Sequence, residues 1–385
     1  MKECKNNITQ FIDCSFCCAC YNKCPTNAIS ISDDSIYYSL KVDNNKCVNC
    51  GKCLEVCPVN NDFRTFHNAI NSYAAFSNND SVMNASSSGG AFHEIASYVL
   101  EKGGLVWGAA YSDDYKKVLM LSTDAVELTK LQKSKYVESY IGDAFERIES
   151  TLKIGRLVLF CGSPCQVAGL NAYLGRDYNN LITCDFTCGG FPSHKIYRDH
   201  INYLEHKYRS KTISVDFRPK IYGWKIYSLL LQFQNGKVYS KSALFDSYFY
   251  QFIHAKNNIR DYCYKCKFSN KHYSDFTLAD LWKQPSDECV GFNDNGTSLI
   301  VTNTLKAEQL FDLIKDRFQI AHLSEEDGLY NIKPTDYPDS KIQEHESFIC
   351  DYEKYGELIA HKKHNSSPLI TRIKHFINIS LRFKL

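Results

Sequence analysis

The sequence predicts a small, cysteine-dense α+β unit at residues 1–65, followed by an α/β unit with a mixed sheet flanked by helices at residues 66–330. Ten of the 18 cysteines lie within the first 57 residues. Behind them, strand-length apolar runs alternate with helical patterns, and this alternation is typical of α/β proteins. Residues 331–385 are predicted to form a mostly helical tail.

The composition is that of an ordinary globular protein. The 385 residues include 45 Lys+Arg and 43 Asp+Glu, a balance that argues against a nucleic-acid partner. No secretory signal is evident at the start, and no apolar run approaches the ~20 residues that cross a bilayer. Clustered cysteines in such a chain favour metal ligation in a reducing compartment over disulfides, so we expect a cytoplasmic protein.

Two cysteine runs near the start of the chain repeat one spacing, C-x2-C-x2-C-x3-C-P. The first run begins at Cys14 and the second at Cys47. Three thiolates at this spacing hold one [4Fe–4S] cluster, and the fourth ligates the other cluster. One predicted cluster is therefore held by Cys14, Cys17, Cys20 and Cys57, and the other by Cys47, Cys50, Cys53 and Cys24.

The residues between the two runs agree with this prediction, because residues 28–31 and 40–43 are typical of the short strands that join such loops. Zinc and disulfides are the alternatives, but structural zinc sites use pairs of cysteines with longer spacers. Cys4 and Cys18 fall outside the motif and are interpreted as unligated thiols. This part of the chain resembles a two-cluster ferredoxin domain, whose function is to transfer single electrons.

The middle of the chain supplies the signals for the α/β unit. The predicted elements are a helix at 91–100, a strand at 105–110, a helix at 142–153, a strand at 157–160 and a helix at 166–174. Residues 213–241 differ, since apolar and polar residues alternate there around Asn235-Gly236, a strong hairpin signal. We therefore expect a mixed sheet.

Six further cysteines lie between residues 161 and 266. Cys161, Cys165, Cys184 and Cys188 form two C-x3-C pairs that each follow a strand-like segment. A third pair consists of Cys263 and Cys266. The spacing alone leaves open which four share a site, and whether they hold a cluster, hold zinc or are inert buried thiols.

Five motifs occur in order over roughly residues 70–305. They are Ser87-Ser88-Gly89-Gly90, Ser134-Lys135-Tyr136-Val137, the run from Phe160 to Leu170, Cys263-Tyr264-Lys265-Cys266, and the run from Asp275 to Trp282. Together they resemble the beta subunit family of coenzyme F420 hydrogenases and dehydrogenases. The resemblance implies a flavin-binding α/β domain with a third [4Fe–4S] cluster, here preceded by an α+β ferredoxin-like two-cluster domain.

The resemblance also implies the ligands of the third cluster, which are Cys165, Cys188, Cys263 and Cys266. Two positions depart from the family pattern. Gly189 follows Cys188 where the family commonly has histidine, and Ala279 stands where it commonly has glycine. The first departure removes an imidazole from the neighbourhood of this cluster.

The resemblance implies a flavin site, but the sequence lacks an ordinary dinucleotide-binding motif, because no G-x-G-x-x-G segment follows a strand. The best anion site is the Ser/Gly segment 86–90 at a helix start, although such a segment alone is also an ordinary helix cap. Lys135 would offset negative charge and Tyr136 would cover a ring. The predicted cofactor-binding residues are Ser87, Ser88, Gly89, Gly90, Lys135 and Tyr136, with FAD as the flavin and FMN as the alternative.

These features predict an iron–sulfur flavoprotein oxidoreductase that couples one-electron transfer to hydride chemistry at the flavin, with a deazaflavin coenzyme or another small substrate as partner. The alternative is an electron-transfer subunit that serves a separate catalytic protein, conceivably in surface-polysaccharide biosynthesis. No residue identifies the catalytic groups or the direction of electron flow.

The tail carries one further signal. From Pro368 onward, apolar residues recur at helical spacing among Arg372, Lys374, Arg382 and Lys384. A basic amphipathic helix of this kind lies on an anionic membrane surface in some proteins. The commoner arrangement, and the one expected here, is a helix whose apolar face docks on the core of its own chain.

Overall fold

The computed structural model describes residues 6–8, 13–62, 66–124, 127–269, 271–283, 292–324 and 337–382. The described strands are β1 (Ile29–Ser32), β2 (Ser39–Val42), β3 (Asn71–Ser77), β4 (Leu105–Tyr111), β5 (Val118–Thr123), β6 (Ser139–Tyr140), β7 (Val158–Cys161), β8 (Leu181–Phe186), β9 (Thr212–Asp216), β10 (Ser228–Phe233), β11 (Val238–Ser242), β12 (Phe276–Asp280), β13 (Ser298–Thr302) and β14 (Phe318–His322).

The described helices alternate with these strands and continue into the tail. They are α1 (Ala19–Lys23), α2 (Lys52–Glu55), α3 (Asp80–Ala85), α4 (Ala91–Glu101), α5 (Leu128–Leu131), α6 (Ala144–Lys153), α7 (Pro164–Leu174), α8 (His194–Tyr208), α9 (Ser247–Ile253), α10 (Leu305–Ile314), α11 (Asp339–Tyr355), α12 (Glu357–Lys363) and α13 (Leu369–Arg382). Two 3-10 turns lie at Asp261–Lys265 and Lys315–Arg317.

A nine-stranded mixed sheet forms the centre of the fold, in the order β14-β3-β13-β12-β8-β7-β4-β5-β6. Strands β4, β7, β8 and β12 are parallel to their neighbours in this group. Strand β13 runs antiparallel to β12 and β3, β14 runs antiparallel to β3, and β5 runs antiparallel to β4 but parallel to β6. The predicted mixed sheet is thus confirmed. Because parallel strands end on the same side, the segments that follow β4, β7, β8 and β12 meet at one edge.

The sheet is covered on both faces, and its central strands are apolar for that reason. Leu159 of β7 points into a core formed with α4 and α10. Its neighbours Val158 and Phe160 point the other way, into a core formed with α6 and α7. The two-residue period of a strand therefore decides which side of the sheet each side chain reaches.

The N-terminal segment shares the second of these cores. Strands β1 and β2 pair antiparallel, as the sequence predicted for these residues. Phe16 and Tyr38 are almost fully buried and belong to the same apolar cluster as Phe160 and Leu170. All residues of α7 are buried because this helix lies between the sheet and the N-terminal segment.

The predicted hairpin is present, but it is not part of the large sheet. Strands β10 and β11 pair antiparallel across the turn that contains Asn235 and Gly236, and β9 completes a separate three-stranded sheet. Gly236 has a φ of 80°, a conformation that glycine adopts without strain. The expectation that this hairpin makes the central sheet mixed was therefore wrong. The antiparallel pairs of the central sheet are β12–β13, β13–β3, β3–β14 and β4–β5.

The described residues of the C-terminal part form the helices α11, α12 and α13. Phe348, Tyr352 and Ala360 from α11 and α12 join the core around α8 and α9. The imidazole of His200 is buried between two carboxylates, 2.9 Å from Glu357 and 3.0 Å from Asp246. Over the described part of the chain, no helix is long and apolar enough to cross a membrane.

The carboxylates around His200 are expected to stabilise the docking of α12 in a pH-dependent way. Burial alone lowers the pKa of His200, but Glu357 and Asp246 raise it well above its ordinary value. The contribution of the charged imidazole is therefore fully present below the ordinary histidine pKa and is lost as the pH rises through the raised pKa. Glu357→Gln should lower the free energy of unfolding by about 2 kcal/mol near neutral pH.

Thermal unfolding of the two proteins across neutral and alkaline pH tests this expectation. The gap between wild type and Glu357→Gln should shrink as the pH rises. Glu353→Gln makes the same charge change at an exposed position of α11 and serves as the control. A gap that is unchanged at alkaline pH would mean that His200 is not charged in the folded protein.

Candidate redox site

Four of the predicted metal-ligating cysteines converge on one pocket. Cys165 follows Pro164 in the first turn of α7, whose start is fixed by a hydrogen bond from the Ser163 amide to the Gln166 side chain at 3.1 Å. Cys188 follows β8 at the sheet edge. The residues lining the pocket are Ser15, Pro164, Cys165, Cys188, Gly190, Phe191, Tyr262, Cys263, Cys266, Phe268 and Ser269.

The electrostatics of the pocket reflect how close these thiols lie to one another. Burial raises the pKa of Cys188 to about 12, and the neighbouring Cys266 raises it as well. Burial also raises the pKa of Cys165 well above its usual range, with Cys266, Cys188 and Cys263 contributing in the same direction. Thiols in such a site ionise readily only when a metal centre takes their charge.

In the rival ligand set formed by the two C-x3-C segments, the sheet separates Cys161 and Cys184 from Cys165. Cys161 and Cys184 are paired in register on β7 and β8, and both belong to the core on the α4 side. Cys165 belongs to the core around α8 and α9, and its helix α7 packs on the other side of the sheet. Among the described residues that line the pocket, neither Cys161 nor Cys184 occurs.

The thiols of the first predicted cluster also lie near one another. The pKa of Cys17 is raised to about 12, mainly by burial and further by Cys57 and Cys14. Burial raises the pKa of Cys20 well above its usual value, and the thiols of Cys17, Cys14 and Cys57 add to this effect. Cys18 lies close enough to Cys17, Cys20 and Cys14 that they add to the effect of burial in raising its pKa, and its thiol donates to the carbonyl of Phe16 at 3.7 Å.

The thiols of the second predicted cluster are more exposed. Cys24 accepts a hydrogen bond from the Ala28 amide at 3.2 Å. Burial raises the pKa of Cys24, but hydrogen bonds from Thr26, Ala28 and Ile29 outweigh it, so the net shift is downward. Cys50 interacts electrostatically with Cys53. Cys47 receives a long contact from the Asn7 amide at 4.0 Å, and Cys4 lies outside the described residues.

Within the described ranges, no group of three His, Cys, Asp or Glu side chains is arranged to hold one metal ion. Four thiolates around a cubane lie farther apart than four thiolates around one zinc ion, whose Zn–S bonds are only ~2.3 Å long. The pocket chemistry, four cysteine thiols in apolar surroundings, fits a [4Fe–4S] cluster.

The N-terminal segment touches this pocket directly. Ser15, between Cys14 and Cys17, lines the pocket, and its carbonyl accepts the thiol of Cys165 at 3.9 Å. Gly169 of α7 lies so close to Cys17 that a Cβ added there would be 2.8 Å from the Cys17 Cβ and 3.2 Å from its carbonyl oxygen. One helix therefore contacts the predicted ligands of two different clusters.

A buried cation that the sequence analysis missed lies at the same junction. Arg260 donates to Glu138 through Nε at 2.7 Å and interacts electrostatically with both Cys14 and Cys263. Glu138 is fully buried, so this ion pair is held in a fixed position. The only sequence signal for it was the position of Arg260 three residues before Cys263.

The Ser/Gly segment predicted to bind the flavin is packed tightly into the protein. The Ser88 hydroxyl donates to the Thr297 carbonyl at 2.8 Å, and the Ser87 hydroxyl accepts from the Ser134 amide at 2.9 Å. A Cβ on Gly89 would be 2.4 Å from the Ala75 carbonyl oxygen. Gly90 begins α4 with a φ of 88°. These contacts explain why serine and glycine occur here.

Lys135 and Tyr136 lie beside this segment. Burial lowers the pKa of Lys135 to about 7, although the nearby Cys161 acts in the opposite direction. The ammonium group of Lys135 donates to the Gln132 carbonyl at 2.6 Å. Tyr136 packs among aromatic rings, with its centroid 5.3 Å from Phe249 and 5.4 Å from Phe252. The structure thus brings the two predicted halves of the flavin site together.

Two further cations that the sequence analysis did not identify lie beside the predicted flavin residues. Lys220 donates to the Ser88 carbonyl at 3.1 Å, and burial lowers its pKa to about 8. Arg218 is buried and paired with Asp280 at 2.9 Å. Its guanidinium lies over the rings of Tyr227 and Trp282. No spacing in the sequence connects residues 218–220 with residues 86–90.

Converging thiols in an α/β unit, packed against a cysteine-dense segment, define an iron–sulfur protein. Residues 13–61 match the 4Fe-4S dicluster domain. Residues 72–144 match the N-terminal part of the coenzyme F420 hydrogenase/dehydrogenase beta subunit, and residues 155–327 match its C-terminal part. The two parts cover more than half of the chain. This chain belongs to the coenzyme F420 hydrogenase/dehydrogenase beta subunit family, as the sequence motifs predicted.

Two individual proteins show the extent of the similarity. Ferredoxin-2 of Chlorobaculum tepidum is 43% identical over 53 residues, which are 12% of this chain and 79% of that protein. The xenon-derivatised F420-reducing [NiFe] hydrogenase complex from Methanosarcina barkeri contains a chain that is 14% identical, with a TM-score of 0.47. That match covers 74% of this chain and 94% of the other.

The contact between Gly169 and Cys17 yields a prediction. Gly169→Ala should force α7 and the Cys17 loop apart and lower the bound iron by about four atoms per chain, one cluster's worth. Iron and sulfide analysis after anoxic purification measures the loss. Gly189→Ala is the matched control, because its added Cβ would meet its nearest neighbour, the Lys256 ammonium group, at 3.4 Å.

The opposite outcome would be a more stable protein with an unchanged iron content. Alanine is favoured over glycine inside a helix by ~1 kcal/mol. If Gly169→Ala were more stable than wild type and kept its full iron content, the close contact with Cys17 would not exist in the protein.

Proposed function

We propose that this chain is an iron–sulfur flavoprotein oxidoreductase with three [4Fe–4S] clusters and one flavin. The observation that carries the proposal is the pocket of four thiols that is also lined by Ser15 of the N-terminal segment. Such an arrangement gives electrons a short route between the two cysteine-rich parts of the chain. We assign residues 1–65 to the two-cluster domain, residues 66–330 to the flavin and third-cluster domain, and residues 331–385 to the tail.

The third cluster is assigned to Cys165, Cys188, Cys263 and Cys266. Clusters of this type pass single electrons at potentials that depend on nearby charge and solvent. Arg260 would offset negative charge near Cys14 and Cys263, while Glu138 fixes the position of its guanidinium. Buried surroundings keep water away from these thiols.

The flavin is assigned to the edge of the sheet where Ser87, Lys135 and Lys220 meet. Two features support an anionic ligand there. Lys135 and Lys220 have lowered pKa values, so a bound phosphate would favour their charged forms. Two buried polar atoms nearby, the hydroxyl of Tyr111 and Nε1 of Trp224, have no hydrogen-bond partner within the described protein. A flavin bound there would exchange hydride with a deazaflavin coenzyme or another small substrate.

The residues around this edge have definable tasks in the proposed reaction. Lys135 would hold a proton or positive charge beside the flavin, and Lys220 would neutralise a phosphate. Tyr136 and its aromatic neighbours exclude water from one side. We assign FAD because a dinucleotide would use the cations at both ends of the edge, with FMN as the alternative. We assign the protein to the cytoplasm, because a reducing compartment keeps cysteine thiols unpaired.

Cysteine substitutions test the assignment of the third cluster. Cys266→Ala should lower the bound iron and sulfide by about four atoms each per chain. Cys184→Ala should leave both unchanged, because its thiol lies on the opposite side of the sheet. Loss of iron from Cys184→Ala with full iron in Cys266→Ala would instead support the rival set of Cys161, Cys165, Cys184 and Cys188.

A second function is favoured by one finding, the family's definition as a beta subunit. On this account the chain carries electrons for a separate catalytic protein, for which surface-polysaccharide biosynthesis is one setting. The isolated chain should then give no steady turnover with a reduced deazaflavin donor and a viologen dye as acceptor. Sustained turnover would contradict the subunit account and support the complete oxidoreductase.

A further inference from the structure

The last described helix, α13, presents its apolar side to solvent. Its five large exposed apolar residues all lie within two and a half turns. They are Leu369, Ile370, Ile373, Phe376 and Ile377, with exposures of 71%, 68%, 49%, 64% and 48%. Exposed apolar surface of this size on one helix marks an interaction site.

The opposite side of α13 holds the helix on the protein. The imidazole of His375 lies 2.8 Å from the Ser242 hydroxyl, and its ring packs near Phe245. The guanidinium of Arg372 lies over the same Phe245 ring at 5.5 Å. A helix that covers its own core does the reverse, because its apolar side faces inward. The expectation that the apolar face docks on the chain's own core was therefore wrong.

The charge around this helix identifies the class of partner. From residue 358 to residue 385 the sequence contains six Lys or Arg residues and neither Asp nor Glu. Lys374 is exposed at the border of the apolar side. An apolar side flanked by basic residues matches the boundary between acyl chains and anionic headgroups, where lysine stems extend along the apolar layer.

We propose that α13 attaches this protein to an anionic membrane surface. The helix lies in the interface with Ile370, Ile373 and Phe376 among the acyl chains, and Lys374 contacts the headgroups. The side that carries Arg372 and His375 stays on the protein, so no unfolding is needed for attachment. This attachment does not depend on the bound cofactors.

Sedimentation with vesicles tests the proposal on the full-length holoprotein. Wild type should sediment with phosphatidylglycerol-containing vesicles and much less with phosphatidylcholine vesicles, and high salt should weaken binding. Ile373→Asp combined with Phe376→Asp should weaken binding by more than about tenfold. Lys374→Gln should weaken it by about fivefold. Leu313→Asp changes an exposed leucine of α10 and should bind like wild type.

Other outcomes would overturn the proposal. Equal sedimentation of wild type and the double variant would show that α13 is not the attachment site. Light scattering without lipid distinguishes a second copy of the chain as the occupant. A wild-type dimer that becomes a monomer in the double variant, with no vesicle binding by either, would assign the apolar side to self-association instead.

Discussion

The packing of α7 against the N-terminal segment is the constraint on which the rest of the structure depends. This helix supplies Cys165 to the thiol pocket, and its Gly169 admits Cys17 to within van der Waals contact. A helix that is buried along its whole length cannot move without disturbing both the sheet and the cysteine loops. The predicted ligands of separate clusters are therefore held in a fixed relation by ordinary apolar packing.

Buried charge reinforces the same junction and the neighbouring sheet edge. The Arg260–Glu138 pair lies between the two cysteine-rich parts, and the Arg218–Asp280 pair lies beside Tyr136. Buried ion pairs contribute little net stability, but removing one partner is costly. Their value here is positional, since each fixes a positive charge close to where an anionic cofactor is assigned. The outward-facing α13 would add a location for the electron transfer, at a membrane surface.

Much of this arrangement followed from local sequence patterns. The doubled cysteine spacing, the β1–β2 pair and the strands near residues 105 and 158 depend on periods of two or three residues that a single sequence displays. The choice between Cys161 and Cys165 as a cluster ligand could not be made from local patterns, because it depends on which side of the sheet each residue reaches. Cys161 continues the alternation of β7, whereas Cys165 lies a turn later on α7. Arg218 and Arg260 could not be found, because their partners are separated from them in sequence by 62 and 122 residues. The separate sheet of β9–β11 was missed because a hairpin signal does not specify which sheet the hairpin joins.

The most direct test of the central claim is the joint measurement of iron, acid-labile sulfide and flavin in protein purified without oxygen. The packing of two cysteine-rich parts on one helix predicts about twelve iron atoms and twelve sulfides per chain, together with one flavin. About eight iron atoms and no flavin would contradict it, and would leave the four thiols around Ser15 without a cluster.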